Sequence, residues 1–255
     1  MSVSEAVLRR DRLIVIAGLL TLAVVAWVYI ARSAAHMQFH AGMSMPMSSP
    51  WGAGEIAGLA LMWIVMMIAM MVPSVAPVIL LFAGVSRRRR AQGVPAAPVS
   101  VFLLGYLLAW IGYAVLAALL QSALHSAALL SPAMASVSPM LGGGILILAG
   151  LYQWAPLKGA CLSHCRSPLG FFSTEWREGV AGALRMGFRH GSYCVGCCWA
   201  LMALLFVAGV MNLVWVAAIA VFVLAEKVLP QGRLLGRITG AVLAGYSLWL
   251  LVAPP

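Results

Sequence analysis

The sequence predicts an all-α fold, a polytopic transmembrane helix bundle of about seven spans with a cytoplasmic N-terminus. Three observations predict it. First, 64% of the 255 residues are hydrophobic and 9% are charged, whereas soluble domains carry about 25% charged residues. The mean hydropathy is accordingly high, at +1.02. Second, several apolar runs approach or exceed the roughly 20 residues that cross a bilayer core. Third, Arg and Lys gather in short segments between those runs, as they do in cytoplasmic loops. The net charge of +10 therefore reports loop placement. No basic face interleaved with aromatics is present, so the expected surroundings are the lipid bilayer and no nucleic acid.

The chain divides into residues 1–54, an N-terminal anchor helix plus a Met/His-rich outer loop, and 55–255, a six-helix membrane domain. Arg9, Arg10 and Arg12 precede an apolar run at 13–31. Ser33, Ala34 and Ala35 imitate a signal-peptidase site, but the run is longer than a signal core of about 7–15 residues. A retained first helix is expected. A second apolar run at 55–85 is stopped on the cytoplasmic side by Arg87, Arg88, Arg89 and Arg90. Further helices are expected at 99–124, 140–154, 190–210 and 213–229, and from the turn at 230–232 to about residue 252, with a cytoplasmic loop at 155–189. In that arrangement every Lys and Arg except Arg32 lies at the cytoplasmic face. The expected localisation is a multi-pass position in a membrane.

All five cysteines and two of the five histidines fall between Tyr152 and Trp199. Cys161, His164 and Cys165 have i, i+3, i+4 spacing. Because a helix advances about 100° per residue, His190, Cys194, Cys197 and Cys198 share an arc of about 100°, which Met186 and Met202 extend. Two such segments, about thirty residues apart, can close a four-coordinate site for a soft or borderline ion: Cu(I), Zn(II) or an iron–sulfur centre. Lys158, Arg166 and Arg189 nearby favour the thiolate, the metal-binding form. Simple packing of small buried thiols is the plain alternative. A redox dithiol is another, though five cysteines cannot all pair and a cytoplasmic position keeps thiols reduced. Glu226, beside Lys227 in an apolar helix, is a candidate ligand or proton acceptor. The pair reads equally well as an interfacial anchor snorkelling to headgroups.

Helix two sets Met62, Met66 and Met70 on one face, with Pro73 and Pro77 close to it. A kink is expected where each proline removes a backbone donor. Such a thioether ladder suits Cu(I), and adaptable packing explains it as well. In the outer loop, Met43, Met45 and Met47 with His36 and His40 form a candidate capture site for a soft ion, or a turn skimming the membrane. Tyr152, Trp154, Trp176 and Trp199 suit an interfacial belt, while Gly105, Gly142, Gly143 and Gly144 suit close helix approach. The sequence carries no phosphate-binding loop and no nucleophile elbow. It also lacks the haem-attachment spacing. ATP-driven transport by this chain alone is not expected, and no enzymatic activity is indicated.

Four stretches carry a family resemblance. They are Trp63-x-x-Met66-Met67-x-Ala69-Met70-Met71-x-Pro73, Tyr152-Gln-Trp154-x-Pro156-Leu157-Lys158-x-x-Cys161-x-x-His164-Cys165-x-x-Pro168, Gly187-x-x-His190-Gly-x-Tyr-Cys194-x-Gly-Cys197-Cys198-Trp199 and Glu226-Lys227-x-x-Pro230. Over about residues 55–250 the chain resembles a bacterial domain-of-unknown-function family of predicted metal-binding integral membrane proteins. The resemblance implies a metal bound within a membrane domain, multi-pass in a bacterial inner (cytoplasmic) membrane. With the methionine features it leads to an expectation of Cu(I) handling: transport across the membrane, or delivery to a cuproprotein or metallochaperone partner. Copper is the expected metal, with zinc and iron left open. A membrane thiol redox protein and a structural zinc site in a membrane scaffold are the alternatives.

Overall fold

The computed structural model describes residues 3–40, 51–131 and 138–252, and its elements are all α-helices. α1 (Val3–His40) packs along α2 (Ala53–Ala91), which is central and buried on most of its circumference. α3 (Val99–Ser126) lies between α2 and α7 (Gly179–Ala203). α4 (Pro139–Tyr152) leads through a 62° bend into the short α5 (Pro156–Arg166), and α6 (Pro168–Glu175) follows. α8 (Leu205–Ala208) ends at Gly209, whose φ of 92° suits glycine. There the chain turns into α9 (Leu213–Val228), capped by the Asn212 side chain accepting from the Val214 N–H at 3.2 Å. α10 (Gly232–Val252) returns against α4.

Four helical stretches, Arg12–His36, Ala53–Ala91, Val99–Ser126 and Gly179–Ala208, are long and apolar enough to cross a membrane, and the bent α4–α5 pair makes a fifth if it counts as one span. α9, at 16 residues, is short for a span. Large apolar side chains on the outward face of α3, such as Leu104, Leu116 and Leu119, are exposed. These helices are compatible with a membrane protein.

The segment read as a loop at 155–189 is mostly helical. Pro156 and Pro168 sit in the first turns of α5 and α6, where the missing N–H costs nothing. On α5 the buried residues are Lys158, Cys161, Leu162 and Cys165, the i, i+3, i+4, i+7 set of one helical face. α7 begins eleven residues before His190, at Gly179, and Arg185 and Arg189 ride on its exposed side.

α2 continues as one helix through both prolines. Pro73 deprives the Ala69 carbonyl of its helical partner, and the Trp27 indole N–H of α1 donates to that carbonyl at 3.1 Å. Pro73 and Pro77 are exposed, whereas Met62, Met66 and Met70 are buried. The prolines therefore do not share the methionine face.

α3 and α7 cross at very close range because glycine removes the Cβ on both sides. A Cβ at Gly105 would collide with the Leu184 carbonyl, one at Gly187 with the Phe102 carbonyl, and one at Gly191 with the Tyr106 carbonyl. That seam presses Tyr106 of α3 against Cys194 of α7. Gly142 and Gly144 are not close-approach points. On α4 that role falls to Gly150, against Gly240 of α10.

Candidate metal centre

The two cysteine segments meet where α5 packs on α7. The Cys165 thiol lies within interaction distance of the thiols of Cys194 and Cys197, and Cys161 is within electrostatic range of Cys197. The Cys161 sulfur occupies the space in which Gly196 lacks a side chain, 2.7 Å from where a Cβ would stand. The Tyr152 hydroxyl fixes that turn by donating to the Gly196 carbonyl at 2.5 Å. All five cysteines are free and buried. Cys197 and Cys198 each turn a thiol onto the Cys194 carbonyl, at 3.1 and 3.0 Å.

Cys194 is the hub of a closed polar ring drawn from four helices. Its sulfur contacts the Tyr106 hydroxyl at 3.1 Å and receives the Lys227 ammonium at 2.9 Å. Lys227 also donates to the Ser74 hydroxyl at 2.9 Å. Ser74 donates to the Met71 carbonyl at 2.9 Å, and Tyr106 reaches the same carbonyl at 3.4 Å. Tyr106, Cys194 and Cys198 are at most 1% exposed, so these polar groups satisfy one another rather than solvent.

Successive residues of α9 hold the two cysteine helices. Lys227 reaches Cys194 on α7. Glu226 reaches α5, where Lys158 donates to its two carboxylate oxygens at 2.7 and 2.9 Å, with the Gln153 side-chain oxygen as a further acceptor. Arg166 of α5 then caps the end of α9, donating to the carbonyls of Glu226, Leu229 and Pro230 at 3.0, 2.7 and 2.9 Å. The register of α5 on α7 thus depends on α9.

The remaining sequence candidates fall in different places. His190 is buried against Phe171, edge to face at 5.0 Å, with Nδ1 lacking a hydrogen-bond partner. It lies within electrostatic range of Cys194 and Lys227. His164 is half-buried and stacked on Tyr193 at 4.2 Å, with its Nδ1 on the Ala160 carbonyl at 2.9 Å. Glu226 is committed to Lys158 and meets no thiol in its recorded contacts. Met66 and Met70 are buried, but so are Met67 and Met71 off their stripe, as expected for a helix packed on most sides. His36 lies exposed on α1. The side chain of His40, with Met43, Met45 and Met47, lies outside the described residues.

Sequence reasoning missed Tyr106, Ser74 and the inward role of Lys227. Only the adjacency of Gly105 to Tyr106 and of Gly191 to Cys194 hinted that these helices touch there.

Among the described residues no three His, Cys, Asp or Glu side chains are grouped as a metal-holding cluster. The arrangement sets a thiol of α5 against thiols of α7, with further thiols alongside and the Lys227 ammonium on the Cys194 sulfur. Thiols are the donors that soft ions select, and His190 Nδ1 is a buried donor atom left without a partner.

Comparison with curated proteins and with solved structures returns no match. A family model, PpoB2, described as copper chaperone, matches residues 60–250. The matched range takes in the whole thiol site and Lys227, and leaves out α1 and the Met/His-rich stretch at 36–47. The expectation of a metal-related family holds, and the metal the family points to is copper. By this match, the chain belongs to the copper chaperone family.

Proposed function

We propose that this protein is a multi-pass membrane copper chaperone that holds Cu(I) between the thiols of α5 and α7 and passes it to an acceptor protein. Supporting this reading is the approach of Cys165 to Cys194 and Cys197 across two helices, within a family described as copper chaperone. Cu(I) is satisfied by few soft donors, whereas structural zinc takes a closed set of four. A thiol pair with neighbours on the same helix suits the former. It also suits hand-over, because an ion held by few donors can be taken up by incoming thiols one bond at a time. We assign the docking atoms to Cys165 of α5 and Cys194 of α7, with Cys161, Cys197, Cys198 and His190 as the adjoining donors, since the Cys197 and Cys198 thiols are turned onto the Cys194 carbonyl. The bacterial inner membrane, about seven spans and an inward N-terminus complete the proposal. The clustering of Arg and Lys supports the orientation, and the four or five helices long and apolar enough to cross a bilayer support a multi-pass protein.

Elemental analysis of the detergent-purified protein tests this directly. Near-stoichiometric copper in the wild type, lost in a variant with Cys161, Cys194 and Cys197 all changed to Ser, is the expected result. Zinc retained in place of copper would turn the site into a structural clamp. A metal-free protein with mixed thiol and disulfide states would favour redox exchange.

A further inference from the structure

We infer that Lys227 makes the thiol site selective for a monovalent soft cation, by serving as the built-in counter-charge of a dithiolate. The inference rests on the Cu(I) reading above and goes on to say what determines it. Lys227 is the one residue of α9 whose ammonium is directed at the thiols, and its two acceptors are a hydroxyl and a sulfur, each at 2.9 Å. Neither is a carboxylate. The carboxylate next to it in sequence, Glu226, is taken by Lys158. The ammonium also lies within electrostatic range of Cys165, Cys197 and Tyr106. Glu226 is within electrostatic range as well, but its carboxylate accepts from Lys158, so the negative complement in contact with Lys227 comes from the thiols or from what they bind.

Charge balance then discriminates between ions. Two thiolates, one ammonium and one monovalent cation sum to zero. The same set around a divalent ion keeps a net positive charge, in surroundings where Cys194, Cys197 and Tyr106 are at most 2% exposed. An uncompensated buried charge is costly. The polar ring keeps Lys227 in place. Ser74 gives its proton to the Met71 carbonyl, which leaves its oxygen to accept from the ammonium. Swinging Lys227 away would take the cation from Ser74 and Cys194 together, with Tyr106 left on the sulfur.

The test uses the full-length protein with Lys227→Met, Lys227→Gln and Lys227→Arg. Cu(I) and Zn(II) affinities are each measured by competition with a chelator of that ion. The two neutral variants are expected to lose about 100-fold in Cu(I) affinity, the scale of one unit charge at this range. Their Zn(II) affinity should hold or rise, so the Cu(I)-to-Zn(II) ratio falls, while Lys227→Arg retains the wild-type ratio. An unchanged ratio in the neutral variants overturns the inference, including the case where both affinities fall together, as they would for a merely structural lysine. Size-exclusion behaviour and tryptophan fluorescence report folding, and Lys227→Gln carries the test if the methionine variant misfolds. A wild type that binds no Cu(I) would instead defeat the functional reading, and this inference with it.

Discussion

Cys194→Ser is expected to lower Cu(I) affinity by more than the roughly 10–100-fold typical of residues that only support a metal ligand, with the helix bundle intact. Cys194 joins the thiol pair to the polar ring, since its sulfur meets Tyr106 and Lys227 and its carbonyl receives the thiols of Cys197 and Cys198. Serine keeps a polar atom in that place, so Tyr106 and Lys227 retain an acceptor and the fold is spared. Cys165→Ser should act alike from the other helix. Met66→Leu provides the contrast, because a buried Met-to-Leu exchange conserves volume and costs less than about 1.5 kcal/mol. Competition with a Cu(I) chelator measures all three. Unchanged affinity in Cys194→Ser, or equal loss in Met66→Leu, would move the copper from the thiols to the methionines of α2.

Lys158→Met should be the most damaging single change for stability. Lys158 and Glu226 are 3% and 2% exposed and form an ion pair at 2.7 Å. Removing one partner leaves a buried charge uncompensated, at a cost of about 3–5 kcal/mol. Because that pair holds α5 to α9, Cu(I) affinity should fall too, although the Lys158 ammonium donates to Gln153 and Glu226 and not to a thiol. The double variant Lys158→Met with Glu226→Leu removes both charges and should recover most of the stability, as apolar replacement of whole buried pairs commonly does. Thermal denaturation in detergent reads both variants. A Lys158→Met protein as stable as the wild type, or a double variant no better than the single, would show that the pair does not fasten α5.

Much of the fold was legible because apolar runs and charge clusters report membrane-type helices directly. The buried face of α7 was also legible, since His190, Cys194, Cys197 and Cys198 follow the helical period and all four are buried. The region at 155–189 was not. Its prolines, glycines and arginines read as loop signals, yet Pro156 and Pro168 start helices and Arg185 and Arg189 occupy the exposed side of α7. Glu226 and Lys227 stand out in the sequence as adjacent ionisable residues in an apolar helix, but their roles divide. Adjacent helical residues point about 100° apart, so one grips α5 and the other α7. Tyr106 and Ser74 carried no periodic or spacing signal. Their place in the site comes from the glycine seam between α3 and α7 and from the burial of α2, which are properties of packing between distant segments.

The central claim is that Cu(I) is held by thiols from both α5 and α7. X-ray absorption at the copper edge of the Cu(I)-loaded protein tests it most directly. The account predicts a copper environment of two sulfur ligands in the wild type, with one sulfur fewer or loss of copper in Cys165→Ser. Nitrogen- or oxygen-dominated coordination, or a sulfur environment untouched by Cys165→Ser, would contradict it.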